Sequence, residues 1–304
     1  MKLDRREFAR WSALAAAAAA LPSTRLFAAD EAGRFTGIRS GVGTFVAQGG
    51  TIGWLMTPEA AIVVDAQMPK TAPACVAGLK ERRKPPFDAL INTHHHGDHT
   101  GGNGVFRPVV HHIVAQENVP GLQKAAAERR GNLNEQTYAD VTFANSWRLD
   151  LGREKVHADF RGPAHTGGDA TVHFVNANVV HVGDLVFNRW YPFIDLPGGA
   201  SVRGWISALE AIHARFDDDT VFIFGHGSSR FGITGKRQDL LVQRDFFAAL
   251  LEHVEKGLKA GESRERITTA TSLPGFPDHT SPGSFLSLPK CLAAAYDDLT
   301  AHSG

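Results

Sequence analysis

The sequence predicts an α/β fold in which two β-sheets pack on each other with helices outside. Three observations carry that expectation. The 304 residues are 43% hydrophobic and 21% charged, which suits a globular chain with a sizeable core. Short apolar runs bounded by Gly, Pro and Asp alternate with longer stretches of helical spacing. Strand-like runs dominate early, a helix follows, the pattern recurs, and each half ends in helix.

Residues 1–29 read as an export signal rather than as part of the fold. Arg5-Arg6 precede Phe8 in "DRREFAR", an Ala-rich stretch runs from Trp11 to Leu21, and Pro22 leads to a small-residue exit near Ala28 and Ala29. The layout resembles a twin-arginine (Tat) signal, with Asp4 where Ser or Thr is more common. Its apolar run is too short for a permanent membrane anchor. The expected location is therefore periplasmic or secreted. Removing residues 1–29 takes away five basic and two acidic residues, so a formal charge of +0 becomes −3. No Lys/Arg-rich run follows, and nucleic acid is not an expected partner.

The remaining elements come in order. Gly49-Gly50 is a hairpin signal between short apolar runs, and Thr57-Pro58-Glu59 is another. Ile62–Val64 forms a buried strand ending at Asp65. Thr71 to Arg83 has helical spacing and is closed by Pro85-Pro86. Phe87–Asn92 is a strand, Val109–Val114 another, and Gln116–Arg130 a helix. Strands are expected at Ser146–Leu151, Lys155–Arg161, Thr171–Val175, Val179–Val182 and Thr220–Gly225. Ser201–Phe216 is helical, with Trp205, Leu209, Ile212 and Phe216 on one face. Gln238–Lys259 is a long helix, and the tail reads as loop and short helix. Cys75 and Cys291 lie far apart and form no CxxC pair, which excludes a thiolate zinc site and leaves one long-range disulfide open.

The chemistry collects at strand ends. "THHHGDH" follows Phe87–Asn92 and supplies His94, His96, Asp98 and His99. "GPAHTGGD" follows the Lys155 strand and supplies His165. "GD" after Val179–Val182 supplies Asp184, and "GHG" after Val221–Phe224 supplies His226. Imidazole plus carboxylate without thiolate suits zinc in a catalytic rather than a structural site. Side chains at i and i+2 of an extended segment point the same way, so His94 and His96 can share one ion. Asp98 and His99, past Gly97, can face a second, and His95 points away. Close metal pairs ~3.5–4 Å apart are a hydrolytic device. The ordinary reading, a histidine-rich scavenging loop, fits poorly with ligand types at four strand ends. His111, His112, His157, His173, His181, His213, His253, His279 and His302 read as surface or satisfied core residues.

"THHHGDH", "GPAHT", "VGD" and "FGHG", in that order, resemble the metallo-β-lactamase superfamily over roughly Gly41 to Gly227. The resemblance implies an αββα sandwich of two mixed sheets flanked by helices. It implies one hydrolase domain over 30–304 with a C-terminal helical extension. It further implies two Zn²⁺ per chain. His94, His96 and His165 would hold the first, and Asp98, His99 and His226 the second. Asp184 would bridge them, and Asp98 would also orient the attacking hydroxide as the catalytic residue. Authentic class B β-lactamases generally carry Cys or Ser near the position of Asp184. A bridging Asp is the habit of glyoxalase II-like thioesterases and lactonases. The expectation is thus a dinuclear zinc hydrolase of a small-molecule ester, thioester, lactone or lactam. A class B β-lactamase, a mononuclear iron sulfur dioxygenase and a non-catalytic metal-binding protein stand as alternatives. Asp169 is read either as a partner fixing a histidine tautomer or as a turn cap. "NRWYPFID" (188–195) is read as a pocket wall or as core, and "AQGG" (47–50) as a flap.

Overall fold

The computed structural model describes residues 33–301. The expected export signal at 1–29 lies outside the described residues. Among those described, no helix is long and apolar enough to cross a membrane.

The first sheet runs in simple chain order. It holds β1 (Arg34–Arg39), β2 (Val42–Val46), β3 (Ile52–Met56), β4 (Ala61–Val64), β5 (Phe87–Ile91), β6 (Val110–Gln116) and β7 (Val141–Phe143). Its first four strands are joined antiparallel, β2 to β3 and β3 to β4 through the two hairpins that the sequence signals and β1 to β2 through a turn at Ser40-Gly41. From β4 onward the pairing is parallel. Parallel neighbours need crossovers, supplied here between β4 and β5 by helix α1 (Ala72–Arg82) and between β5 and β6 by the single turns α2 (Gly97–Thr100) and α3 (Asn103–Phe106).

The second sheet is built from β8 (Ser146–Leu151), β9 (Glu154–Phe160), β10 (Ala170–Phe174), β11 (Val179–His181), β13 (Val221–Ile223) and β15 (Thr234–Gly235). Its spatial order is β15-β13-β11-β10-β9-β8, antiparallel except for β11 with β13. A two-stranded parallel ribbon pairs β12 (Phe187–Asn188) with β14 (His226–Gly227).

The period-2 alternation of strands places the core. Ile62 and Val64 of β4 face the second sheet, packing with Val156, Val172, Phe174 and Ile223. Ala61 and Val63 face the opposite way, onto Cys75, Val76 and Leu79 of α1. Burial on both faces is why β4 reads as an uninterrupted apolar run. The outer face of the second sheet is covered by three helices, α5 (Val202–Arg215), α6 (Arg237–Lys259) and α8 (Leu288–Ala301), with the short α7 (Arg264–Thr268) between the last two in the chain. Trp205, Leu209 and Ile212 form the buried stripe of α5, with Ser201 capping its start by accepting from Gly204 N at 3.1 Å. The result is an αββα sandwich of two mixed sheets.

Several boundaries differ from expectation. The helix expected from Gln116 begins at Val119 and forms α4 (Val119–Arg130), because β6 continues through Gln116. The tail is more ordered than expected. Leu288, Cys291, Leu292 and Ala295 of α8 fall on one side at helical spacing and are buried against the α5–α6 layer. Cys75 and Cys291 are free and buried, in two different core clusters, so no disulfide joins them.

His279, on the loop before α8, stacks on Phe246 at 4.7 Å with the rings 10° apart. Burial, reinforced by Arg189, pushes its pKa down to about 4. The unfolded value is about 6.5, so between those values the unfolded chain binds more protons. This contribution is fully present above pH ~6.5 and is lost as pH falls toward 4. It amounts to roughly 2–3 kcal/mol. His279→Phe is expected to flatten the fall in melting temperature between pH 7 and 4.5 relative to wild type. Parallel pH profiles for the two proteins would refute this.

Candidate metal centre

All seven sequence-predicted ligands converge at one edge of the sandwich, at the C-terminal ends of β5, β9, β11 and β13. They form two groups. In the first, His94 Nε2 lies 3.1 Å from His96 Nδ1, which lies 3.0 Å from His165 Nε2. Asp184 Oδ2 closes this group at 3.8 Å from His94 Nε2 and 3.5 Å from His165 Nε2. In the second, Asp98 Oδ2 is 3.7 Å from His99 Nε2 and 3.2 Å from His226 Nε2. Asp184 stands between the groups. Its Oδ1 is 3.1 Å from His99 Nε2 and its Oδ2 is 3.3 Å from His226 Nε2.

The local backbone explains the split within the loop. The chain bends through His94 and His95 and is extended at His96, which brings the His94 and His96 rings together, whereas α2 starts at Gly97 and turns Asp98 and His99 toward the second group. His95 faces away from both groups. Its Nε2 lies 3.3 Å from Asp195 Oδ2.

The outer partners decide which ring nitrogens carry protons. His165 Nδ1 is 2.9 Å from the Phe193 carbonyl oxygen, which can only accept. His96 Nε2 donates to Asp195 Oδ2 at 2.9 Å. His99 Nδ1 donates to Asp65 Oδ2 at 2.8 Å. Thr93 Oγ1 gives its own proton to Asp65 Oδ2, so it accepts from His94 Nδ1 at 3.0 Å. In the neutral tautomers set by these bonds, His94 Nε2, His96 Nδ1 and His165 Nε2 present three lone pairs to one point. Lone pairs at 3.0–3.1 Å repel unless a cation lies among them. A tetrahedral zinc at roughly 2.0–2.1 Å from each ligand spaces them about 3.3–3.4 Å apart, close to the edges observed. His99 Nε2 and Asp184 Oδ1 are buried without a hydrogen-bond partner, despite their proximity. The donor set therefore fits metal.

The electrostatics of the two groups differ. Burial, then His99, holds His94 well below the ordinary imidazole range, and burial with His96 pushes His165 down to about 3. These rings stay neutral, as ligands must. In the second group burial opposes charge, but Asp184 and Asp98 outweigh it and raise His226 to about 9. Asp184 and Asp65 likewise hold His99 well above its usual value. Burial pushes Asp184 up, and His226 and His99 overcome it and hold the carboxyl ionised. The carboxylates of this group thus draw positive charge, and a divalent cation would displace the protons.

Two glycines allow the crowding. A Cβ on Gly225 would sit 1.9 Å from Asp184 Oδ1, and one on Gly50 would sit 2.1 Å from His99 Cε1. The second contact corrects the reading of "AQGG" as a flap. Gly50 N donates to the Asp98 carbonyl at 3.0 Å, and Gln67 Nε2 donates to Gly50 O at 2.7 Å, so the hairpin is tied to the ligand loop. Asp169 is a turn cap. It accepts from Thr166 N and Thr166 Oγ1, both at 2.7 Å, while His165 is served by Phe193. "NRWYPFID" divides between the two readings: Trp190 and Phe193 line the cleft, and Tyr191 packs toward Phe246. His181 is fully buried and accounted for, 3.0 Å from Thr51 O.

Sequence reasoning missed Asp65, Thr93 and Asp195. Asp65 had a usable signal, a carboxylate at the C-terminal end of an apolar strand like Asp184. It is fully buried at φ +65°, and it also accepts from Thr93 N at 2.7 Å.

Comparison with known proteins agrees with this geometry. The chain is 34% identical over 100 residues to a hydroxyacylglutathione hydrolase of Gloeobacter violaceus, a match covering 33% of this chain and 34% of that protein. It is 24% identical over 183 residues to metallo-β-lactamase IND-1 of Chryseobacterium indologenes, covering 59% and 72%. The match thus spans only about a third of the first relative's length. Among solved structures, a metallo-β-lactamase from Pontibacter korlensis superposes with a TM-score of 0.58 at 20% identity, covering 71% of this chain and 99% of that one. The inverting sec-alkylsulfatase Pisa1 from Pseudomonas sp. gives 0.66 at 16%, covering 88% and 51%. At these identities the structural likeness concerns the fold alone. The family model for the metallo-β-lactamase superfamily matches residues 49–226, more than half of the sequence and every residue of the two ligand groups, and on that match this chain belongs to the metallo-β-lactamase superfamily.

Proposed function

We propose that the chain is a dinuclear zinc hydrolase that cleaves an acyl bond, with a thioester, ester or lactone preferred over a lactam. The observation that carries this reading is Asp184, which stands between the groups, Oδ2 toward His94, His165 and His226 and Oδ1 toward His99, where a class B β-lactamase carries Cys or Ser. Similarity to hydroxyacylglutathione hydrolases supports it.

His94, His96 and His165 would hold one zinc, Asp98, His99 and His226 the other, and Asp184 both. Zinc bound there supplies a water whose pKa falls to roughly 7 and a Lewis acid for the carbonyl. The chain's own groups do the rest. Asp98 is the most open carboxylate of the set, with 27% of its side chain exposed against 3% for Asp184, so it can meet water entering from the cleft and take its proton. Thr93, Asp65, Asp195 and the Phe193 carbonyl hold the imidazoles at fixed angles, which keeps the donor atoms preorganised. Phe187 and Trp190 stack on the His226 ring at 5.1 and 6.1 Å and restrict water on that side.

The purified protein is expected to carry close to two equivalents of zinc. Removing them with a chelator should abolish turnover of a chromogenic thioester or lactone, and adding zinc should restore it. One equivalent of iron and no zinc would move the assignment to the dioxygenase. Faster turnover of a cephalosporin than of any thioester, ester or lactone in the same panel would make the chain a β-lactamase.

A further inference from the structure

This inference rests on the acyl-hydrolase reading and concerns what the substrate carries beside its scissile bond. The cleft over the metal centre has a volume of about 740 Å³ and two unlike walls. One is apolar: Phe187, Trp190, Phe193, Phe285 and Leu286. Phe285 lies 5.1 Å from Phe193 and is 63% exposed, with Lys290 Nζ 5.2 Å from its ring centre. Phe193 also holds His165 through its carbonyl, so this wall is fixed relative to the ligands.

A second, polar part of the lining comes from the end of α4 and the turn after it, with Arg130, Asn132 and Gln136. Arg130 is the informative residue. A Cβ on Gly97, between His96 and Asp98, would lie 3.2 Å from its Nη1, so the guanidinium hangs over the ligand loop itself. Glu135 shares the wall, but its carboxylate takes Asn132 Nδ2 at 3.5 Å and makes no ion pair with Arg130. Among the described residues, the Arg130 guanidinium makes no side-chain hydrogen bond or ion pair, and its charge acts on the neighbouring His95. A cation at a helix C-terminus is favourable on its own account, yet Arg129 supplies that without entering the cleft. A second cation placed beside a centre that collects divalent metal is repelled by it. An anion on the ligand offsets that repulsion, and a guanidinium binds a carboxylate through two parallel hydrogen bonds.

We propose that the substrate is an amphiphilic acyl compound whose acyl part carries both a carboxylate and a bulky apolar group. Arg130 binds the carboxylate, and Trp190, Phe193, Phe285 and Leu286 seat the apolar group. The reaction is hydrolysis: the acyl–heteroatom bond breaks, a carbon–oxygen bond to water forms, one proton of the water goes to the leaving group and the other to solvent. No oxidant or reductant is required.

The test uses the zinc-loaded full chain and two matched chromogenic esters, the 4-nitrophenyl monoester of 2-benzylsuccinate and its methyl-capped neutral form. Wild type should favour the anionic ester at least tenfold in kcat/KM, chiefly through KM. Arg130→Gln should bring that ratio near one, whereas Arg129→Gln should leave it. Phe285→Ser should lower the advantage of the benzyl ester over plain succinate several-fold. Calorimetric binding of 2-benzylsuccinate gives a readout independent of turnover, and Arg130→Gln should weaken it at least tenfold. A charge ratio and a binding constant that both stay within twofold in Arg130→Gln overturn the proposal. Arg130-dependent binding of benzylsuccinate without turnover of either ester would leave the anion site standing and remove the acyl-hydrolase reading instead.

Discussion

Asp184→Asn is expected to lower the rate at least about a hundredfold, roughly 2.7 kcal/mol of transition-state stabilisation. It should reduce bound zinc from two equivalents toward one, with the circular dichroism spectrum unchanged. Asp184 is fully enclosed, with Oδ2 facing His94, His165 and His226 and Oδ1 facing His99. Asparagine keeps its shape but removes the negative charge between two cation positions, and one terminal atom becomes a donor that cannot ligate. The fold should survive, because asparagine is isosteric with aspartate and leaves the apolar side chains that hold the sheets unchanged. If Asp184 were only a turn residue after β11, the amide would serve equally well. Normal zinc content and normal rate in this variant would remove the bridging role, and with it the preference for a thioester or lactone over a lactam.

Asp65→Asn is expected to weaken metal at the second site about 10–100-fold, the usual effect of losing a carboxylate behind a ligating histidine. Asp65 accepts from Thr93 N, Thr93 Oγ1 and His99 Nδ1. An amide has only one accepting oxygen, so its NH₂ group meets a donor, either the Thr93 hydroxyl or the His99 ring. The least costly response on the ring is to move its proton to Nε2, which closes the lone pair that faces Asp98 and Asp184. Zinc titration should show one site retained and one weakened. Two sites of wild-type affinity would mean that Asp65 serves the turn after β4 and has no hold on the metal centre.

The placement of these ligands shows how far the sequence alone could carry the argument. His94, His96, Asp98 and His99 occupy a single short loop, and the helical turn that starts at Gly97 divides them between two directions. His165, Asp184 and His226 each follow a short apolar run beside glycine, a combination that surface histidines such as His111 and His112 lack. The layered fold was equally local in origin, because strands buried on two faces read as unbroken apolar runs and helices as 3.6-residue stripes.

Other features depend on chain segments meeting in space. His99 finds Asp65 across 34 positions, His96 finds Asp195 across 99, and His165 finds a backbone carbonyl 28 residues on. Aspartate at a strand end or in a loop is common, and a carbonyl carries no mark at all. Neither reveals its partner until the sheets are stacked. The same holds for the tail, whose helix buries Leu288, Cys291, Leu292 and Ala295 in the core, and for Asp169, whose neighbour His165 turned to Phe193 instead. Residue type and short-range period determined the sandwich and the ligand loop. The proton on each imidazole, the tied hairpin and the two walls of the cleft were decided only by tertiary contact, because a hydrogen bond depends on where its two atoms lie and not on how far apart they are in the chain.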